Sequence, residues 1–441
     1  MVPSQPEPSL NAGSARAQRL LWLSFSLISL AYLIQVFTPL RLINDGVDYL
    51  LQASSAVDGN GFRVHGVHSM RPPGYPALIF VLAKAGVGYS WSIVALNCIT
   101  LGVGCWATYF VLRESFGFSA EGSQILCLLT LLSFVMVRNA TYPLSDVCFF
   151  GASVPCLLGL IRAECLSWKK RLWRILLLIL PILFAIELRT IGICLLPGIL
   201  WVAIGGLPGA RKIASIAWRH RVVTSALLLV VMVLVGKAFL DSRYMAFNLP
   251  TFQHRGVLRS VAANLRDHTA EWGELTVNAP NSKLPGLLAL PLRVVGGLAI
   301  ILFVVGLWQK SRRPDSVLFY VIGSAAIVFA YPWFDTRLWL PVLPFLMGYV
   351  WTGLSRVFPP QALRLAAPAY CVLYAVLGVA AMGYSTRLTF AGPQFPELFG
   401  DGNFRATYRL ALRGETPPDP KQIDPDALYL LRRYEWRASG K

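Results

Sequence analysis

Charge is scarce in this chain: 14% of its 441 residues are Asp, Glu, Lys or Arg, against 55% hydrophobic residues. A water-soluble domain of that composition would expose more apolar surface than water tolerates. Acidic groups are scarcest, 22 against 40 Lys plus Arg, for a net charge of +18. The eight cysteines all fall in or beside apolar runs, and none forms a CxxC spacing. That argues against structural disulfides and against a zinc-thiolate site. No repeat of solenoid or inverted-transporter kind and no low-complexity stretch is present.

What the chain has instead is apolar length. About eleven runs of roughly 17 to 25 mostly apolar residues lie near 20–40, 90–112, 122–138, 146–163, 174–189, 190–207, 222–240, 286–308, 316–334, 338–355 and 366–384. Each can cross about 30 Å of hydrocarbon as a helix, the one open structure whose backbone bonds are all internal. The expected fold is therefore an all-α polytopic membrane protein. The first run follows a polar segment with Arg16 and Arg19 and is too long for a cleavable signal, so it should remain as an anchor.

The loops sort by charge. SWKKRLWR (167–174), GARKIASIAWRHR (209–221), QKSRRPD (309–315) and RVFPPQALR (356–364) are short and basic, which places them in the cytoplasm. The segments 41–89, 241–285 and the tail after 385 then face the periplasm or lumen. The organisation read from this is a cytoplasmic segment 1–19, a transmembrane module 20–384 and a small outer appendage 385–441, in a membrane read as the bacterial inner membrane. Basic inner loops suit anionic headgroups and account for the net charge, so no nucleic-acid partner is implied.

The first outer segment carries most local information. In LINDGVDYLLQASSAVDGNGF, apolar residues recur at helical spacing from Val47 to Val57, predicting a short interfacial helix with Asp45 as N-cap and Asp48 three residues on. A Gly-Asn-Gly turn at 59–61 ends it. Pro72 and Pro73 then fix the entry to GYPALIFVLAKAG, too short for a span and read as a second juxtamembrane helix.

This topology collects charged groups at the outer ends of the spans: Asp45 and Asp48, Arg71, Asp146 in TYPLSD, Arg189 in ELRTIG, and Asp335 and Arg337 in YPWFDTRLWLPVLPF. A charge at mid-bilayer costs about 2.5–3.5 kcal/mol on insertion scales, and much less where it reaches headgroups or a wet site. Each has a plain reading beside the functional one. Asp45 and Asp146 can cap helices, Arg71 can anchor headgroups, Arg337 can neutralise Asp335, and Tyr75 suits an interfacial belt. His65 and His68, spaced HxxH near the aspartates, leave a divalent metal possible.

The order DGVDY, RPPGYP, LSD, LRTIG, DTRLWLPVLPF, over about residues 41–346, resembles the GT-C class of membrane glycosyltransferases. It is most similar to the branch holding protein O-mannosyltransferases and the aminoarabinose transferase of lipid A. The resemblance implies a polyprenyl-phosphate sugar donor, an acceptor outside the cytoplasm, and a catalytic Asp in the first outer loop, matched by Asp45. Arg71 matches the cation ahead of the Pro-Pro pair that holds donor phosphate, and Asp146 the acid at the mouth of a later span. Gly46 stands where the mannosyltransferases carry Glu, and their large luminal insert is absent.

The chemistry supports those roles independently. A sugar-1-phosphoryl lipid departs as a phosphate anion, so the transferase needs fixed positive charge there and a carboxylate for the acceptor's proton. Arginine grips phosphate oxygens two-pronged, and lysine does not. Asp45 is thus the expected base or acceptor-orienting group, and Arg71, Arg337 and Arg189 the expected phosphate ligands. Asp48, Asp146 and Tyr75 are candidates for positioning substrate or metal. The acceptor is not legible. The competing class is a transporter or flippase, which would string its charges along broken helices at mid-depth.

Overall fold

The protein is described by a computed structural model over residues 12–205, 257–331, 333–399 and 404–437. Among these residues it is helical apart from one small hairpin. Helix α1 (Ala12–Gln35) leads through an irregular stretch to α2 (Asn44–Val57), which packs against the helix that follows it and against the C-terminal helix Pro425–Tyr434. The Gly-rich turn ends α2 as expected, with Gly59 at φ 86° and Gly61 at φ 72°. A hairpin of β1 (Arg63–Val64) and β2 (Val67–His68) follows, turning through His65 and Gly66, both at positive φ. The short helix read from GYPALIFVLAK is α3 (Gly74–Lys84).

The central helices are α4 (Ser90–Glu114), α5 (Ala120–Leu131), α6 (Phe134–Ala140), α7 (Ser145–Glu164), α8 (Trp168–Leu188) and α9 (Leu196–Ile204). Helices α4 and α7 pack closely because glycine faces the partner on each, Gly104 against Phe150 and Gly151 against the Thr100 carbonyl. With lipid on the outside, such close approach supplies the attraction that water would otherwise drive. After residue 257 come α10 (Val257–Val277), α11 (Ala289–Lys310), α12 (Ser316–Ala330), a 3-10 turn at Thr336–Val342, α13 (Leu343–Val357) and α14 (Pro360–Thr389).

Five helices among the described residues are long and apolar enough to cross a membrane: Ser90–Glu114, Ser145–Glu164, Gly286–Lys310, Thr336–Val357 and Pro360–Thr389. A sixth results if α5 and α6, bent by 57°, count as one broken span. The expected count of eleven is not confirmed among the described residues. The run 190–207 begins as a 3-10 turn at Thr190–Leu195 because Arg189 is extended, and the run 316–334 stops at Ala330 where Tyr331 is extended. The run 222–240 and the basic loop 209–221 lie outside the described residues.

The tail closes over the first outer segment through α15 (Phe395–Leu398), α16 (Arg405–Arg413) and α17 (Pro425–Tyr434). The Tyr408 hydroxyl donates to Leu40 O at 2.6 Å and accepts from Leu42 N at 2.7 Å, while Glu435 accepts from Leu40 N at 2.5 Å. Ser54 and Tyr434 share a 3.0 Å bond, and Arg433 pairs with Asp58 at 2.9 Å. Buried Arg41 spends its donors on Thr38, Thr141, Ser385 and Thr389, tying the exit of α1 to α6 and α14. These bonds fix the chain just before Asp45.

Candidate active site

Five of the charged residues form one continuous chain of ion pairs. Asp45 Oδ1 lies 2.8 Å from Arg71 Nη1, and its Oδ2 lies 3.0 Å from Arg337 Nη2. Asp48 Oδ2 takes the Nε of the same Arg71 at 3.1 Å. Asp335 grips Arg337 two-pronged, at 2.9 Å to Nε and 2.6 Å to Nη2, and caps its own turn by accepting from Arg337 N at 3.1 Å. The order is Asp48, Arg71, Asp45, Arg337, Asp335. The side chains are a fifth to a third exposed, from 18% for Arg337 to 37% for Asp48.

Local structure explains each placement. Asp45 and Asp48 lie three residues apart, so both carboxylates share one face of α2. The expected cap is not formed: α2 starts at Asn44 after Ile43, with no side-chain capping bond. Two guanidiniums claim the Asp45 oxygens instead, and charge-assisted bonds are the stronger kind. Arg71 is held at the mouth of α3 because Gly74 lets that helix meet the end of α8, where a Cβ would stand 2.5 Å from Glu187 O. Its guanidinium also lies 5.7 Å from the centre of the Tyr49 ring.

A second pair, Asp146 with Arg189, lies beside this chain without bonding to it. Asp146 is in the first turn of α7 and almost wholly buried, and Arg189 ends α8. The two groups of charges meet through Tyr49, whose hydroxyl shares a 3.0 Å bond with Ser145. Tyr75 is not a belt residue: it is fully buried, edge-on to Tyr49 at 5.5 Å, and donates to Asn97 Oδ1 at 3.3 Å. The helix turns it inward, where its ring backs Tyr49.

The two carboxylates of α2 are driven apart in acidity. Burial pushes the Asp45 carboxyl up, but Arg337 and Arg71 outweigh it and hold it below the usual carboxylate range. Burial pushes Asp48 up and prevails, because Arg71 only partly opposes it and the Asp45 charge adds to it. For Arg71 burial works against the charge, and Asp45 and Asp48 more than restore it. The site can therefore present fixed positive charge flanked by one strongly anionic and one weakly acidic carboxylate.

Among the described residues no group of three or more His, Cys, Asp or Glu is arranged to hold a metal ion. His65 instead meets Asp426 at 3.0 Å. A cavity of about 1060 Å³ opens between α1, α4 and α5, lined by residues such as Trp22, Tyr32 and Trp106 and by none of the ion-paired groups.

Sequence patterning missed one set of residues. Glu271 and Glu274 of α10 are buried at 0% and 5% exposure, and His268 at 1%. Glu271 accepts from Asp335 N at 2.6 Å, from Trp339 Nε1 at 2.7 Å and contacts His268 Nδ1 at 2.8 Å. Glu274 accepts from Thr336 Oγ1 at 2.7 Å and Asn281 N at 2.6 Å. The i, i+3 spacing of the two acids was the only available signal, and it is common on solvated helices.

Known structures share this architecture. ArnT from Cupriavidus metallidurans, the lipid A aminoarabinose transferase, matches in its apo state at TM-score 0.54 and 14% identity, over 95% of this chain and 85% of its own. The same enzyme bound to undecaprenyl phosphate matches at TM-score 0.54 and 14% identity, over 94% and 85%. The oligosaccharyltransferase AglB from Archaeoglobus fulgidus, with an inhibitory peptide and a dolichol-phosphate, is a weaker likeness at TM-score 0.43 and 14% identity, over 91% and 61%, too low to build on. No family model and no curated protein matches the sequence. The chain is an integral membrane protein with the GT-C fold.

Proposed function

We propose that this protein is a glycosyltransferase that moves a sugar from a polyprenyl-phosphate donor to an acceptor on the outer side of the membrane. The observation that carries this reading is the bridging of Arg71 and Arg337 by the two oxygens of Asp45. Two guanidiniums from distant segments are held side by side at the outer end of an apolar bundle, where an isoprenoid tail can lie in lipid and its phosphate can meet both. Arg189, held by Asp146, borders the same place.

In the transfer, the bond between the anomeric carbon and the phosphate oxygen breaks and the electron pair leaves with the phosphate. Arg71 and Arg337 stabilise that charge as it develops. An incoming phosphate competes with Asp45 for the two cations, freeing a carboxylate oxygen to orient or deprotonate the acceptor hydroxyl. Displacement from the opposite face inverts the anomeric carbon. Asp48 keeps Arg71 pointed by its Nε, and Tyr75 supports Tyr49 beneath it. The positive-inside rule applied to the basic loops supports a reading with this site on the periplasmic side of a bacterial inner membrane, 1–19 inside and 385–441 outside. A transporter or flippase would need its charges spread along a path, whereas here five of them close on one another.

The test uses full-length protein in nanodiscs titrated with undecaprenyl phosphate, alongside lipid mass spectrometry of cells with and without the protein. Saturable binding that weakens about tenfold or more in Arg71→Ala, together with a prenyl-phosphate sugar that accumulates when the protein is missing, is expected. Binding indifferent to Arg71 and Arg337 would remove the reading.

A further inference from the structure

We infer that Glu271 is a positioning residue for the donor phosphate, acting through the Asp335–Thr336–Arg337 turn, with Glu274 as its second anchor. This rests on the proposed donor chemistry and adds a role for the outer segment around α10, which the charged motifs do not include. A buried carboxylate is costly unless its lone pairs are filled by donors. Glu271 is fully buried, and its filling is directional: Oε1 accepts from the Asp335 backbone at 2.6 Å, while Oε2 takes the Trp339 indole at 2.7 Å and faces His268 Nδ1 at 2.8 Å. One turn along α10, Glu274 holds the hydroxyl of Thr336 at 2.7 Å.

The turn that presents Arg337 is therefore pinned at two consecutive residues by two acids of one helix. Asp335, once fixed by its backbone, grips Arg337 with both oxygens, and Arg337 reaches Asp45. Without the pins the same ion pair can form, but the turn that carries it is free to shift, and a shift of about 1 Å in a positioned group is enough to lower binding or rate severely. His268 adds to the rigidity by packing edge-on against Phe329 at 5.1 Å and Trp339 at 6.2 Å. Arg71 stands on a different element, ahead of α3, and meets the pinned turn at one remove, through Asp45.

That asymmetry supplies the test. Glu271→Gln keeps the volume but puts an amide N–H₂ against either the Asp335 N–H or the Trp339 N–H, so one pin must open. Undecaprenyl phosphate is titrated into full-length protein in nanodiscs for Glu271→Gln, Arg337→Ala, Arg71→Ala and the two double variants. The expected result is about a tenfold loss of affinity in Glu271→Gln, little further loss when it is added to Arg337→Ala, and a full additional loss when it is added to Arg71→Ala. Equal additivity in both backgrounds, or unchanged affinity, would overturn the inference while leaving the donor reading standing. Failure of the unaltered protein to bind would overturn both. Should Glu271→Gln not fold, Thr336→Val removes the Glu274 pin at constant shape, with about a threefold loss expected and the same dependence on Arg337.

Discussion

Asp45 and Arg337 are 292 positions apart in the chain and 3.0 Å apart in the protein. Because the second Asp45 oxygen is taken by Arg71 at 2.8 Å, one carboxylate sets the spacing of two cations contributed by segments far apart in the chain. The same group is the candidate for the acceptor's proton, and the two tasks make different demands on it.

An amide at position 45 keeps the shape and one acceptor oxygen but removes the negative charge and most of the basicity. Asp45→Asn is expected to keep undecaprenyl phosphate binding within about threefold, since the cations gain freedom as they lose their bridge. Transfer of labelled sugar from prenyl-phosphate donors in membranes should fall by about a hundredfold or more. Undiminished transfer in purified Asp45→Asn would remove it as base.

The Pro-Pro-Gly motif has a mechanical reading that can be checked separately. A Cβ at position 74 would sit 2.5 Å from Glu187 O and 2.8 Å from Leu188 N, both backbone atoms that cannot swing aside. Gly74→Ala should therefore push α3 off α8, lower the thermal midpoint by an amount corresponding to about 3 kcal/mol, and weaken undecaprenyl phosphate binding through Arg71. At Gly46 the nearest obstacle is Pro143 Cγ at 2.8 Å, an atom of a side-chain ring. Gly46→Ala is expected to be the milder change, and a thermal melt of the two variants ranks them.

Much of this site was legible because charge is so rare in the chain. An Asp or Arg at the end of an apolar run stands out, and Asp45, Asp48, Arg71, Asp146, Arg189, Asp335 and Arg337 were all singled out that way. What they bond to was not legible: pairing of Asp146 with Arg189, or the bridge by Asp45, depends on which helix ends meet. Glu271 and Glu274 were invisible for the opposite reason. They sit in the polar helix α10, where acids are unremarkable, and only tertiary burial marks them. The two short helices of the first outer segment followed from periodicity and turn residues, whereas the length of each apolar helix did not, because an apolar run does not mark where the chain turns extended, as it does at Tyr331.

Asp146 and Arg189 make a pair whose acid is 3% exposed and whose guanidinium is 19% exposed. Removing one member strands the other, so Asp146→Asn or Arg189→Met alone should cost on the order of 3 kcal/mol. Replacing both, as Asp146→Asn with Arg189→Met, should restore at least half of that, because no charge is left unpaired. If Arg189 also touches donor phosphate, the double variant will fold yet bind undecaprenyl phosphate less tightly. Thermal melts and binding measured on the same preparations separate the two contributions.

The divided acidities of α2 set an order of protonation. Asp48 is raised by burial, with Arg71 and His65 opposing and Asp45 and Asp426 adding, while Asp45 is held down against burial by Arg337 and Arg71. As pH falls, Asp48 takes a proton first, above the ordinary aspartate value of about 3.9, and its hold on Arg71 Nε weakens while Asp45 is still ionised. Transfer activity in membranes should therefore decline on the acid side at a pH above that ordinary value. In Asp48→Asn the amide is as neutral as the protonated acid and cannot titrate, so the plateau rate should fall toward the level of the protonated form and the remaining acid limb should move down toward that of Asp45. A full plateau rate with an acid limb that stays in place in Asp48→Asn would assign the limb to another group and leave the Asp48 charge with no part in orienting Arg71.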